Sequence, residues 1–350
     1  MAIDPLSSVL QAVRLTGAAF FDVAAAAPWV AEAPHAGTIA HDVLPGAQHV
    51  IPYHVVTQGG CVASLVDGAP LHLEAGDVIV FPQGDPHVLA SAPGMRAAPP
   101  LALYREVRAS ALPAPIVLNA SGGPETAHLV CGFLGCDARP FNPLLATLPP
   151  VLRVNERDAP GGLLTRFIEL ARAESAAARA GAECVLGKLS ELMFVEVVRR
   201  HLQGLPEGRT GWLAGLRDPH VGRALSALHA RPAHPWTLDD LGREAGLSRS
   251  ALAERFSALV GEPPMQYLAR WRMQVAAGLL ASTHDGVAAV AAAVGYASEA
   301  AFNRAFRKLV GVPPATWRRG QRAAPAPPVT NPPPATPSSK PHRSTSPRSP

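Results

Sequence analysis

Four cysteines in 350 residues are too few to staple a chain of this length, which excludes a disulfide framework as the source of its stability. Cys61, Cys131, Cys136 and Cys184 fit a reducing cytoplasm. Long apolar runs are also missing: none reaches the roughly 18 residues that a membrane span requires. The opening Met1-Ala-Ile-Asp-Pro5 has no basic segment leading into an apolar stretch, which argues against export. Acidic residues are absent from 321–350, where 10 prolines and four basic residues sit among Ser, Thr and Ala. Proline removes amide donors and the segment has no apolar periodicity, so a disordered Pro/Ser-rich tail is expected there.

Hydrophobic residues make up 48% of the chain, enough for more than one core, and the length suggests two or three domains. The formal net charge of +4 hides an asymmetry. Residues 1–211 carry 14 Lys/Arg against 19 Asp/Glu, whereas residues 212–320 carry 13 against 8. Positive charge thus collects in the C-terminal third, as a polyanion-binding region requires.

The same third holds a repeat. Leu241 to Phe256 followed by Leu259-Val-Gly-Glu-Pro-Pro264 is answered by Val290 to Phe306 followed by Leu309-Val-Gly-Val-Pro-Pro314. Each copy reads as a helix, a tight glycine turn and a second helix, a unit that places one helix in the DNA major groove. Thr237 and Asp240 are spaced as a capping box for the first helix. Gly246 supplies the turn, and Ser248 caps the next helix. Gly295 and Ser298 play the same parts in the second copy, with one extra residue in the turn. Leu252, Phe256 and Leu259 are expected inside the first unit, and Phe302 and Phe306 inside the second. Met265 to Leu280 reads as one long helix joining the two. Tyr267, Trp271, Val275 and Leu279 are spaced on it to hold both units rigidly.

Residues from about 213 to 319 resemble the DNA-binding domain of AraC-type transcription regulators, most specifically in the paired Gly-x-Pro-Pro endings and Phe302-Asn-Arg-Ala-Phe306. The resemblance implies that the second helix of each unit enters the major groove of promoter DNA. The implied contacts are Arg249, Ser250, Ala253 and Glu254 in the first unit, and Glu299, Ala300, Asn303 and Arg304 in the second. Arg grips guanine and Asn grips adenine through two hydrogen bonds, so the second unit is expected to read bases more strongly. Arg307, Lys308, Arg318 and Arg319 are placed as phosphate anchors.

The N-terminal region reads differently. Val- and Leu-rich segments over 50–90, with turns expected at Gly59-Gly60, Asp67-Gly68 and Ala75-Gly76-Asp77, point to an antiparallel barrel or jelly roll. Gly76-Asp-Val-Ile-Val-Phe-Pro-Gln-Gly-Asp-Pro-His87 matches the second sequence motif of cupins. Asp4 to about Leu202 resembles the cupin-type sensor domain found in front of some AraC-type DNA-binding domains. Metal-binding cupins carry a His-x-His pair and a Glu in an earlier motif, and neither occurs here. His49, His54 and His87 are a thin set for a transition ion and are candidate ligand-binding residues instead. No cofactor is expected. His128, Cys131 and Cys136 have apolar neighbours, which favours buried thiols over a zinc or redox site. Cys184 to Leu202 forms an amphipathic helix, with Val185, Leu189, Leu192, Met193 and Val197 on one side. It packs on its own barrel or pairs with a second subunit, and the resemblance favours a homodimer.

The expected fold class is α+β: a cupin-like β-barrel with helices over 1–203, a linker at 204–211, and an all-α double helix-turn-helix domain over 212–320. The function that follows is sequence-specific regulation of transcription, without enzymatic activity. Its partners would be double-stranded promoter DNA, a small-molecule effector and the transcription machinery. The alternative is a metal-dependent cupin enzyme carrying a DNA-binding appendage. A third reading makes the barrel a dimerisation module with no effector.

Overall fold

The computed structural model describes residues 4–108, 112–119, 124–155, 161–177 and 179–323. Residues 324–350, most of the expected disordered tail, lie outside them. Among the described residues the N-terminal part contains nine strands: β1 (Thr16–Ala26), β2 (Val30–Ala33), β3 (His49–Leu65), β4 (Leu71–Glu74), β5 (Asp77–Val80), β6 (His87–Ala90), β7 (Ala114–Leu118), β8 (Glu125–Cys136) and β9 (Leu152–Asn155). They form a curled sheet in the order β2-β6-β3-β8-β1-β7, with β4 and β5 also on β3 and β9 on β5. Pairing is antiparallel except between β1 and β7.

The helices of this part are α1 (Pro5–Ala12), α2 (Ala36–Val43), α3 (Leu101–Arg108), α4 (Leu163–Ala177) and α5 (Ala182–Gln203). The rest of the chain is helical: α6 (Trp212–Arg217), α7 (Pro219–Ala230), α8 (Leu238–Ala245), α9 (Arg249–Val260), α10 (Pro264–Ser282), α11 (Val287–Ala293), α12 (Glu299–Val310) and α13 (Pro314–Ala323). Helix α13 runs to Ala323, past residue 320 where the sequence reading ended the helical domain. The reason is anchoring at both ends: Trp317 stacks edge-on against Phe306, and Gln321 accepts a hydrogen bond from Arg14 at 3.2 Å.

Strand β3 is the spine of the sheet, and β-branched and aromatic residues (Val50, Ile51, Tyr53, Val55, Val56) make it a good strand former. The chain does not turn at Gly59-Gly60. It continues through them, and Gly60 pairs with Glu74. A register shift between Val56 and Gln58 marks a bulge just before Gly59, whose φ is +65°. A Cβ at Gly59 would sit 2.0 Å from the Thr126 carbonyl oxygen. Glycine is required here by bending and close approach rather than by chain reversal. Ala75 and Gly76 do reverse the chain, as expected, between β4 and β5.

Within the motif ending at His87, Asp77 is fully buried. Its carboxylate accepts from Arg153, from Asn155 and from the Glu74 backbone N–H. A buried charge is tolerable only with such partners, and these fasten β5 to β9.

Helix α5 lies directly on β1. Added Cβ atoms would come 2.3 Å from the Gly187 oxygen at Gly17, and 2.5 Å from the Gly17 oxygen at Gly187. The two glycines therefore let helix and strand touch backbone to backbone. Ser190 and Tyr53 complete the contact with a hydrogen bond of 2.5 Å. Leu186, Leu189, Met193 and Val197 of α5 are buried, but Val185 and Leu192 are 45% and 47% exposed. The apolar stripe expected on this helix is thus divided, half against its own sheet and half outward.

One hydrophobic core joins the two parts of the chain. It runs from Leu6 and Val9 of α1 through Leu134 and Phe194 to Trp212, Phe256 and Trp271. A second cluster fills the sheet around Trp29, Leu73, Phe81 and Leu129. A third gathers Met273, Leu280, Val290, Phe302 and Phe306 beneath α12.

Candidate nucleic-acid interface and the sheet cavity

Helix α8 starts at the expected capping box: Thr237 Oγ1 accepts from Asp240 N, and the Asp240 carboxylate accepts from Thr237 N, both at 3.1 Å. Gly246 then adopts φ +69° and ends the helix. Ser248 caps α9 by accepting from Ala251 N, and Ser298 caps α12 by accepting from Ala301 N. Both second helices stop at glycines in the left-handed region, Gly261 and Gly311. At Gly295 a Cβ would meet the Ala233 oxygen at 2.5 Å, so only glycine lets the second turn sit against the first unit.

The two units share α10. Its N-terminal half puts Tyr267, Leu268 and Trp271 into the core under α9. Its C-terminal half puts Met273, Ala276, Ala277 and Leu280 into the core under α12. The inner face of each second helix is pinned by fully buried side chains, Leu252 and Phe256 in α9 and Phe302 and Phe306 in α12. Rotation of either helix would expose a ring, which costs about 1.5–3 kcal/mol when the ring's burial is lost.

Each outward residue follows from that pinning. Arg249, Ser250 and Glu254 of α9 are exposed and Ala253 is half-buried. On α12, Glu299, Ala300 and Arg304 are exposed and Asn303 is half-buried, and Arg307 and Lys308 are exposed one turn further on. All ten stay accessible with the sheet domain packed against α10. Arg249 lies 3.9 Å from Asp239, a long pair with both partners about two-thirds exposed. Such a pair holds little energy and leaves the guanidinium free to change partner.

Arg318 has a task inside the fold. Its guanidinium donates to the carbonyl oxygens of Leu280 at 3.2 Å and Asp285 at 2.5 Å. It ties the end of α10 to the loop before α11. Arg319 stays exposed.

In the sheet domain, the three candidate histidines do not come together. His54 and His87 hydrogen-bond through their Nε2 atoms at 2.8 Å, and His87 stacks on Phe81 at 3.8 Å. Both line a cavity of about 200 Å³. His49 is not on its wall, and its Nε2–H donates to the Pro82 carbonyl at 2.7 Å. The reason is parity: His54 lies five positions after His49 on an unbroken stretch of β3, so they point to opposite faces. Burial lowers the pKa of both cavity histidines, to about 4 for His87 and well below the ordinary value for His54. Among the described residues no three His, Cys, Asp or Glu side chains cluster to hold an ion.

The same parity separates Cys131 from Cys136 on β8. Both thiols are buried, and burial raises the pKa of each, to about 12 for Cys136. His128 bridges Asp22 at 2.9 Å and Thr57 at 2.9 Å instead. Among the described residues no helix is long and apolar enough to cross a membrane.

Comparison with known proteins agrees with this geometry. A family model described as a cupin matches residues 4–203, and one described as a helix-turn-helix domain matches residues 241–320. An AraC-like transcription regulator of Streptomyces lividans is 31% identical over 320 residues, covering 91% of this chain and 98% of that protein. This chain belongs to the AraC-type transcription regulators. The RCS-specific HTH-type transcriptional activator RclR of Escherichia coli K12 is 26% identical over 281 residues, covering 79% of this chain and 87% of that protein. Among solved structures, the DNA-binding domain of AdpA in complex with a target DNA is 31% identical, covering 30% of this regulator and 95% of that chain, with a TM-score of 0.29.

Proposed function

We propose that this AraC-type regulator holds a promoter site by inserting α9 and α12 into successive major-groove faces. The supporting observation is the sharing of α10 between two cores, which makes two exposed, capped helices into one rigid body. Such a body suits groove faces about one helical turn, roughly 34 Å, apart. Arg249, Ser250, Ala253 and Glu254 form the first reading surface, and Glu299, Ala300, Asn303 and Arg304 the second. Arg307 and Lys308 neutralise phosphate. The chain acts as a regulator in the cytoplasm, in concert with the transcription machinery, and not as a catalyst.

A small molecule bound in the sheet cavity, in contact with His54 and His87, alters transcription by favouring one arrangement of sensor and reading domains over another. Two chains associate through α4 and α5. Leu163 and Leu170 on α4, like Val185 and Leu192 on α5, are spaced seven residues apart, and all four are 45–56% exposed. Apolar side chains repeated along one helix face suit a helix-to-helix contact with a second copy.

Selection of bound fragments from a randomised oligonucleotide pool by the full chain at low ionic strength tests the central reading. Enrichment of one sequence with two separated half-sites is the expected result. Retention without enrichment would leave only a nonspecific polyanion binder.

A further inference from the structure

The sheet cavity has walls of a distinct chemistry. Phe21, Trp29, Leu103, Tyr104, Ile116 and Phe133 contribute to lining about 200 Å³. That exceeds the roughly 150 Å³ of an engineered cavity that admits benzene, so a substituted ring fits. Among the described wall residues there is no Lys or Arg. The acidic wall residue, Glu32, is already committed. Arg96 donates to both of its oxygens at 2.8 Å, and the Ala97 N–H adds a third bond at 3.2 Å. An anion entering this space would lose its hydration and meet no counter-charge.

The hydrogen-bond pattern of the histidine pair assigns the remaining polarity. A carbonyl oxygen only accepts, so the 2.9 Å contact with Asp85 O places a proton on His87 Nδ1 and leaves His87 Nε2 a lone pair. That lone pair takes the proton of His54 Nε2–H at 2.8 Å. His54 Nδ1 is therefore a bare acceptor, and among the described residues it has no hydrogen-bond partner. Trp29 Nε1–H, on another wall residue, is a donor without a partner among the described residues. Buried polar groups of this kind are costly to leave unmatched. A hydroxyl group carries one donor and two acceptor lone pairs, which is the complement of both.

We propose that the cavity binds an uncharged, mainly hydrocarbon ring molecule bearing a hydroxyl group, of the alkylphenol or cyclic-alcohol class, with its O–H donated to His54 Nδ1. This rests on the reading of the sheet domain as the effector-binding part, and supplies the chemistry of the effector.

Isothermal titration of the full chain with 4-ethylphenol, ethylbenzene and 4-ethylbenzoate tests the assignment. The phenol binds, the hydrocarbon binds roughly tenfold more weakly for want of one hydrogen bond, and the carboxylate gives no measurable binding. His54→Phe keeps a ring and removes Nδ1, so it lowers the phenol to the affinity of the hydrocarbon. Ile116→Trp fills the space and abolishes binding of both. Equal affinities for phenol and hydrocarbon overturn the role of the hydroxyl, and tightest binding of the carboxylate overturns the uncharged class. Failure of all three to bind overturns the proposal entirely. Should His54→Phe not fold, the ranking of the three compounds on the unaltered chain decides. Promoter affinity measured with and without 4-ethylphenol separates the two readings. A phenol that binds without changing DNA affinity removes the effector role and upholds the ligand class.

Discussion

The side-chain oxygen of Gln274 accepts a hydrogen bond from the backbone N–H of Phe141 at 3.0 Å. Its nitrogen donates to the Ala12 carbonyl at 2.9 Å. Gln274 belongs to the rod of the DNA-reading domain, α10, yet both partners belong to the sheet domain, and the carboxamide is buried. Phe141 adds a ring contact with Tyr267 at 5.4 Å and lies under the Arg270 guanidinium at 4.1 Å. Gln274→Ala leaves the buried Phe141 N–H without a partner, at about 1–3 kcal/mol, and frees the half-buried Ala12 carbonyl. Calorimetry should show one joint melting transition in the unaltered chain, and an earlier or divided transition in the variant. An unchanged melting profile would mean that the two domains are not energetically joined at this contact.

Base reading and phosphate anchoring predict different losses. Arg304→Ala should cost about 1–3 kcal/mol on the selected site and relax choice at one base pair. Lys308→Ala should weaken binding equally on all sequences and reduce the slope of log affinity against log salt by about one. Equal losses for Arg304→Ala on cognate and unrelated duplexes would reassign Arg304 to the backbone. Binding isotherms at several salt concentrations make the distinction.

Arg318→Ala should lower the melting temperature without changing the salt slope, because its guanidinium holds carbonyls of α10 and the following loop. A slope reduced by about one would restore it to the phosphate surface.

Acid should destabilise the folded chain through its buried imidazoles. Burial depresses His229 to about 3 and His87 to about 4, and holds His54 well below the ordinary range. The unfolded state protonates near pH 6.5, so it binds more protons than the folded state below that pH. Stability contributed by keeping these groups neutral is complete above pH 6.5 and declines as pH falls towards the folded values. At pH 5 His87 and His229 each cost about 2 kcal/mol. Denaturant titrations from pH 7.5 to 5 should show that decline, and His87→Phe should flatten it. A stability independent of pH over this interval would contradict the buried, neutral assignment.

Leu192→Glu places a charge on the outward face of α5 and should convert a dimer to a monomer in sedimentation analysis, with the melting temperature little changed. A monomeric unaltered chain at micromolar concentration would remove α5 from the interface.

Much of the reading domain was legible because its signals are local. Thr237, Asp240, Gly246, Ser248 and Ser298 act on backbone groups within a few residues, so spacing alone identifies their tasks. The N-terminal domain was harder because its glycines and histidines act across the sheet. Gly59 answers to Thr126 and Gly17 to Gly187, which no local pattern announces. The separation of His49 from His54 was in fact available from their odd spacing on a strand, once the strand was known to continue without a bulge between them. The tasks of Arg318 and Gln274 inside the fold were missed because their partners are backbone carbonyls and amides far along the chain. Such partners leave no trace in residue type.

Strand β8 has a part in both domains. Leu129 and Phe133 lie on the cavity wall, and the same chain, leaving β8 at Cys136, reaches Phe141 against the rod. A displacement of this strand by an occupant of the cavity would be delivered to the midpoint of α10, between the two cores. The expected mechanical output is a tilt of the whole helical body relative to the sheet domain, with the spacing of α9 and α12 preserved. In a paired molecule, such a tilt would change the distance between half-sites that can be spanned while leaving each half-site sequence the same.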